Sequence, residues 1–136
     1  MRLNLVQNLA AASLLFLAAC SATPLLDPEP FPTQLNEEVT REAVIRGMAV
    51  RGWVVEEENP GRVLARLNLR SHVVKVLIRY DEEQVSLEYS DSANMDYQNS
   101  DDGEFIHKNY NSWVRNLAGD IQAQLSVSRL DERFEE

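Results

Sequence analysis

The sequence predicts an α+β fold, a four-stranded antiparallel sheet flanked by an N-terminal and a C-terminal helix packed on one face. Three observations predict it. Apolar residues recur at three and four over about residues 36–51 and again over 106–125, the spacing of amphipathic helices. Over residues 53–90 the period changes to two, the spacing of strands with one buried and one wet face. The order helix, strands, helix then lets both helices cover the apolar side of one sheet.

The chain opens with Arg2 and an apolar run over residues 9–19 (LAAASLLFLAA). Such a run is short for a bilayer span and has the size of a secretory signal, assigned here to residues 1–19. Leu17-Ala18-Ala19-Cys20 closes it. These four residues resemble the lipobox of bacterial lipoproteins, in which Leu and two small residues precede a Cys. The resemblance implies cleavage before Cys20, a diacylglyceryl thioether on its sulfur and an acyl chain on its new amine. More than one chain makes the attachment stable, since each buried CH₂ adds about 0.8 kcal/mol. Ser21 rather than Asp follows the cysteine, which implies the inner leaflet of the outer membrane, facing the periplasm.

Residues 20–35 read as the lipidated Cys and a Pro-rich tether, holding Pro24, Pro28, Pro30 and Pro32. Proline fixes φ and pushes its predecessor into extended geometry. At about 3.1 Å per residue the tether would hold a domain roughly 40 Å from the bilayer. Leu25, Leu26 and Phe31 supply the alternative, a segment buried along the domain's edge.

The domain proper is placed at residues 36–126. Asn36 is a good N-cap for the first helix, and Glu37 and Glu38 suit its positive end. Val39, Ala43, Val44, Gly47, Met48 and Val50 form its apolar stripe, and Gly52 ends it. Strands are predicted at 53–57, 62–69, 73–80 and 85–89, with Asn59-Pro60-Gly61 and Asp81-Glu82-Glu83 as turns. Arg70-Ser71-His72 must also be a turn, although it lacks Gly or Asn. Ile106, Tyr110, Trp113, Val114, Leu117, Ile121 and Leu125 form the stripe of the last helix, with Trp113 expected to be buried against the sheet. Residues 127–136 read as a charged tail that frays.

Composition narrows the chemistry. Twenty-two acids against thirteen Lys and Arg give a net charge of −9, which argues against nucleic acid as a partner and against a basic patch clinging to anionic headgroups. Cys20 is the only cysteine, so lipidation leaves no thiol for a disulfide, zinc or catalysis. The five glycines are scattered, so no loop cradles phosphate. His72 and His107 have no metal partner at ligand spacing, and there is no Gly-x-Ser-x-Gly elbow. The expectation is a non-enzymatic protein with no cofactor and no metal.

Two places could meet a partner. Residues 90–104 (SDSANMDYQNSDDGE) form a long connection, and such connections tend to be functional or disordered. Their acids invite calcium, but the spacing does not match an EF-hand, which favours a solvated acidic loop. Asp91, Asn94, Asp96 and Tyr97 in that segment, with Asn111 from the last helix, could read a polar ligand. The second place is the outer sheet face, where Arg66 and Arg70, with Arg62, Lys75 and Arg79, concentrate cations for an anionic glycan or an acidic protein. Its alternative is cross-strand pairing with Glu56, Glu58 and Glu88.

Tyr89-x-Asp91-Ser92-x-Asn94 and Ile106-His107-x-x-Tyr110-Asn111-x-Trp113-Val114-x-x-Leu117 resemble a group of small, uncharacterised proteobacterial lipoproteins. The resemblance implies a similar helix-and-sheet domain and transfers no catalytic or binding residue. The functional expectation is a lipid-anchored, periplasm-facing envelope protein acting as an interaction module for an envelope protein or cell-wall glycan. The alternative is a small-molecule or metal-responsive domain using the 90–104 segment.

Overall fold

The computed structural model describes residues 22–135. Cys20 and Ser21, on which lipidation and sorting rest, and the apolar run before them lie outside the described residues. In chain order the elements are β1 (Ala22–Pro24), β2 (Phe31–Pro32), α1 (Glu37–Val50), β3 (Val54–Asn59), β4 (Arg62–Leu69), β5 (His72–Tyr80), β6 (Gln84–Ala93), β7 (Gln98–Ser100), β8 (Gly103–His107) and α2 (Asn109–Glu135). The fold is α+β, but its strands form two antiparallel sheets rather than one of four strands. One has five strands in the order β2-β6-β5-β4-β3, and the other three in the order β1-β8-β7. The four predicted strands are β3 to β6; the others come from the segments read as tether and loop.

Local chemistry explains the first helix. The Asn36 carboxamide accepts the Val39 N–H at 3.0 Å, capping α1. Ala43, Val44, Gly47 and Met48 are buried and Val39 half-buried, as the stripe requires. Val50 departs from it and is 56% exposed, because the helix stops there. Gly52 takes φ +81° and Trp53 N–H returns to the Met48 carbonyl at 3.0 Å, closing the C-terminus.

The core follows the strand alternation. Val63 and Ala65 of β4, Val74, Val76 and Ile78 of β5, and Val85 and Leu87 of β6 meet Val114, Leu117, Ile121 and Leu125 of α2. Two placements differ from expectation. Ile106 is buried from strand β8, since α2 begins only at Asn109. Trp113 is half-buried at the rim, and the aromatic sealed in the core is Tyr110, one helical turn earlier.

The missing turn signal also has an account. Leu69 pairs with His72, so Arg70 and Ser71 form a two-residue hairpin loop. Arg70 takes φ +56°, the left-handed region that such loops usually fill with Gly or Asn. The loop is set by strand pairing on both sides and not by its own residues.

The proline-rich segment is part of the domain and does not form a tether. Ala22 and Pro24 of β1 pair with His107 and Phe105, and Leu25 N–H donates to the Glu104 carbonyl at 2.9 Å. Phe31 of β2 pairs with Val85, and Phe31, Thr33 and Leu35 are buried. Both short strands lie at sheet edges, where a proline's missing N–H can face outward without breaking a ladder. Burial of Phe31 and Leu35 against the core then favours this packed path over a solvated one. The charged tail is likewise ordered as helix: Ser128 is buried, and Arg129 Nη1 donates to the Thr33 carbonyl at 2.9 Å.

Asp27 tightens this N-terminal path by accepting the Tyr89 N–H at 3.0 Å. Burial raises its carboxyl pKa above 3.8; the Tyr89 N–H opposes the rise, while Glu104 and Glu88 add to it. The folded state therefore takes up this proton at a higher pH than the unfolded chain, and Asp27 favours folding more as pH falls through the interval just above 3.8. Asp27→Asn keeps an acceptor and removes the charge. It should be more stable than the parent at neutral pH, and the gap should close on acidification through that interval. Urea unfolding at the two ends of the interval checks this; a gap that widens on acidification would refute the account.

Candidate functional site

The 90–104 segment is built, not loose. β6 runs on to Ala93, and β7 and β8 then form a hairpin with Asp101 and Asp102 at its tip. Asn94 and Asp96 take φ +57° and +51°, conformations that short polar side chains tolerate best. Backbone geometry thus accounts for both residue types. Asn94 Nδ2 also donates to Ser71 Oγ at 2.9 Å, and its carbonyl accepts from His72 Nδ1 at 2.6 Å. Asp91 Oδ1 accepts the Ser92 N–H at 2.8 Å, opposite Lys75 in the register.

Tyr97 stacks on Tyr89 with ring centroids 4.4 Å apart, and its hydroxyl donates to Glu104 Oε1 at 2.5 Å. That bond pushes the phenol pKa up to about 12. Asn111 is a clamp on the N-terminal strand. Its Oδ1 accepts the Leu26 N–H at 2.9 Å and its Nδ2 donates to the Pro24 carbonyl at 2.9 Å. Tyr110 is fully buried. The polar groups of Asn94, Tyr97 and Asn111 are thus used in bonds that hold the fold. Among the described residues there is no group of three or more His, Cys, Asp or Glu able to hold a metal ion.

The outer cations are mostly paired. Lys75 and Arg66 meet Glu56 at 2.7 and 3.6 Å, Arg62 meets Glu57 at 3.2 Å, and Arg79 meets Glu88 at 3.1 Å. Arg66 Nε also donates to Asn68 Oδ1 at 3.0 Å. Glu58 points the other way, bonding Arg41 of α1. Among the seven candidate residues, Arg70 and Asp96 carry charges with neither an ion pair nor a side-chain hydrogen bond among the described residues, and Arg70 sits at the tip of the β4–β5 hairpin. Such exposed pairs contribute little to stability, about 0–1 kcal/mol each, so they leave the face patterned but electrically muted.

Two surfaces that the sequence did not single out remain. The first is the far end of α2, where Val127, Leu130 and Phe134 are 46%, 49% and 85% exposed. They recur at three and four on a face distinct from the buried Ile121, Leu125 and Ser128. The spacing was readable, but the surrounding charges hid it. The second lies at the helix's other end and gathers both tryptophans and both histidines of the chain. The His72 ring lies 5.9 Å from that of His107 and 6.1 Å from that of Trp113. Trp113 and Trp53, with Leu67, Leu69, Arg51 and Asn116, line an open cleft of about 260 Å³. No spacing rule joins residues so far apart in sequence; only the pairing of the strands does. A helix rises about 1.5 Å per residue, so α2 sets Trp113 and Leu130, at the centres of the two surfaces, about 25 Å apart. Compared with family models, curated proteins and solved structures, the chain matches none.

Proposed function

We propose that the chain is a lipid-anchored, periplasm-facing envelope protein of the outer membrane whose domain is a non-enzymatic interaction module, presenting the far end of α2 to a partner protein. The Leu17-Ala18-Ala19-Cys20 run supports the anchor. The observation that carries the module is the exposed triplet Val127, Leu130 and Phe134 on an ordered helix. Side chains at i, i+3 and i+7 are the anchors by which an amphipathic helix seats in an apolar groove. Full burial of one such side chain contributes about 1.5–3 kcal/mol, so the triplet supplies an apolar centre for a contact. Asp131, Glu132 and Glu135 outnumber Arg133 beside the triplet and call for a groove with a basic rim. An apolar triplet suits a protein better than a cell-wall glycan.

In-cell photocrosslinking from position 134 should trap a discrete envelope protein, and crosslinking from position 83 should not. Leu130→Ala with Phe134→Ala should remove the trapped species while leaving the melting temperature nearly unchanged. The same adduct from both positions, or its survival in the double variant, would sink the reading of α2. The anchor is tested separately by metabolic labelling with a palmitate analogue, which Cys20→Ser should abolish.

A further inference from the structure

We infer that the tryptophan–histidine end of the domain docks directly on the bilayer surface, its cations against anionic phospholipid headgroups. The inference rests on the lipid anchor proposed for Cys20 and deepens it. Ala22 is fixed in β1 opposite His107, only two residues beyond Cys20. Two residues span at most about 7 Å, so a lipid on Cys20 holds this end of the domain against the membrane. The 40 Å standoff that a free tether would give is thereby removed.

The surface so placed has the composition of a membrane interface. From His107 the rings run on through His72 to Trp113, which is half-buried, and Leu69 beside it is 43% exposed. Amphipathic aromatic rings settle at headgroup level, between water and hydrocarbon. Arg70 at the hairpin tip and Lys108 just before α2 are exposed and make no ion pair among the described residues. Arg51 is also here, bonded to Asp120 at 2.8 Å, and Asp96 is the exposed acid of this end.

Charge is distributed along the same axis. Strand directions place Asp81, Glu82 and Glu83 at the opposite end of the large sheet. Glu37 and Glu38 begin α1 there, and Asp131, Glu132 and Glu135 end α2 there. An anionic bilayer attracts the end bearing Arg70 and Lys108 and repels the acidic end, which orients α2 away from the membrane. The bound orientation therefore exposes the Val127, Leu130 and Phe134 triplet to a partner.

The test uses the lipidated full-length protein reconstituted in vesicles of brominated phosphatidylcholine, with or without brominated phosphatidylglycerol. Tryptophan emission should be quenched by bromine, and more strongly when phosphatidylglycerol is present. Arg70→Glu with Lys108→Glu, checked for an unchanged melting temperature, should remain labelled by the palmitate analogue and lose the extra quenching. Arg70→Gly with Lys108→Gln gives a second route, since glycine accepts the positive φ of position 70 without strain. Labelled parent protein whose emission is not quenched would overturn the docking and leave the anchor standing. Equal quenching of parent and both variants on both vesicles would overturn the role of the cations. Failure of the parent to take up the palmitate analogue would overturn the anchor and the docking with it.

Discussion

Tyr110→Ala should destabilise the domain by about 3–5 kcal/mol, whereas Tyr110→Phe should stabilise it by about 1 kcal/mol or more. Tyr110 is fully buried, meeting Tyr89 edge-on at 5.6 Å, so alanine leaves a cavity with no solvent path. A domain of this size has about 5–15 kcal/mol in all, so the loss removes a large share. The sign for phenylalanine follows from the hydroxyl, which is buried and has no hydrogen-bond partner among the described residues. Burial pushes its pKa well above the usual phenol range, with Asp27, Tyr89 and Glu104 adding to the rise. Burying such a group without a partner costs about 1–3 kcal/mol, and phenylalanine keeps the ring while removing the cost. Urea denaturation of the three proteins reads both signs. A phenylalanine variant weaker than the parent would show that the hydroxyl is bonded after all. Trp113→Ala, the substitution that the helix periodicity singles out, should cost less, because a half-buried ring leaves an open notch and no closed void.

The contrast between Tyr110 and Trp113 shows how far periodicity reaches. Both fall on the apolar stripe of α2, and the stripe correctly selects Val114, Leu117, Ile121 and Leu125 as buried. Period alone cannot say where along a helix the sheet above it ends, and Trp113 lies at that end, beside Leu67 and Leu69 where β4 stops. Strands β3 to β6 were legible because one wet and one dry face impose strict alternation. β1, β2, β7 and β8 were not, because they are two to five residues long and belong to edges or to a small sheet. Their hydrogen bonds come from distant chain: Asn111 holds Thr23, Pro24 and Leu26, and Arg129 holds Thr33. The same long-range pairing explains the candidate residues. Asn94 and Asn111 stand out in sequence as polar residues without a core role, and the structure gives each a scaffold role instead. The exposed triplet on α2 was hidden for the opposite reason, since Asp131, Glu132 and Arg133 surround it with charge.

Gly47 gives the second large effect, and its sign can be set against an internal control. A Cβ placed on Gly47 would lie 2.6 Å from Ile121 Cα and 2.8 Å from Ile121 N. These are backbone atoms of α2, so no rotamer change relieves the overlap; the two helices must separate. Gly119, also in a helix, would carry a Cβ with nothing within 4 Å. Alanine is favoured over glycine in a helix interior by about 0.8–1.0 kcal/mol, and this gain applies at both positions. At Gly119 nothing opposes it, so Gly119→Ala should raise stability by about that amount. At Gly47 overpacking opposes it with about 1–3 kcal/mol or more, so Gly47→Ala should be destabilising on balance. Gly47→Leu, with a branched side chain facing a contact too tight for one methyl, should prevent the helices from docking and leave little folded protein. Opposite shifts of the urea midpoint for the two alanine variants are the expected result. Two stabilising shifts would mean that α1 and α2 do not cross at Gly47 and Ile121, and the helix pair that sets the domain's long axis would have to be redrawn.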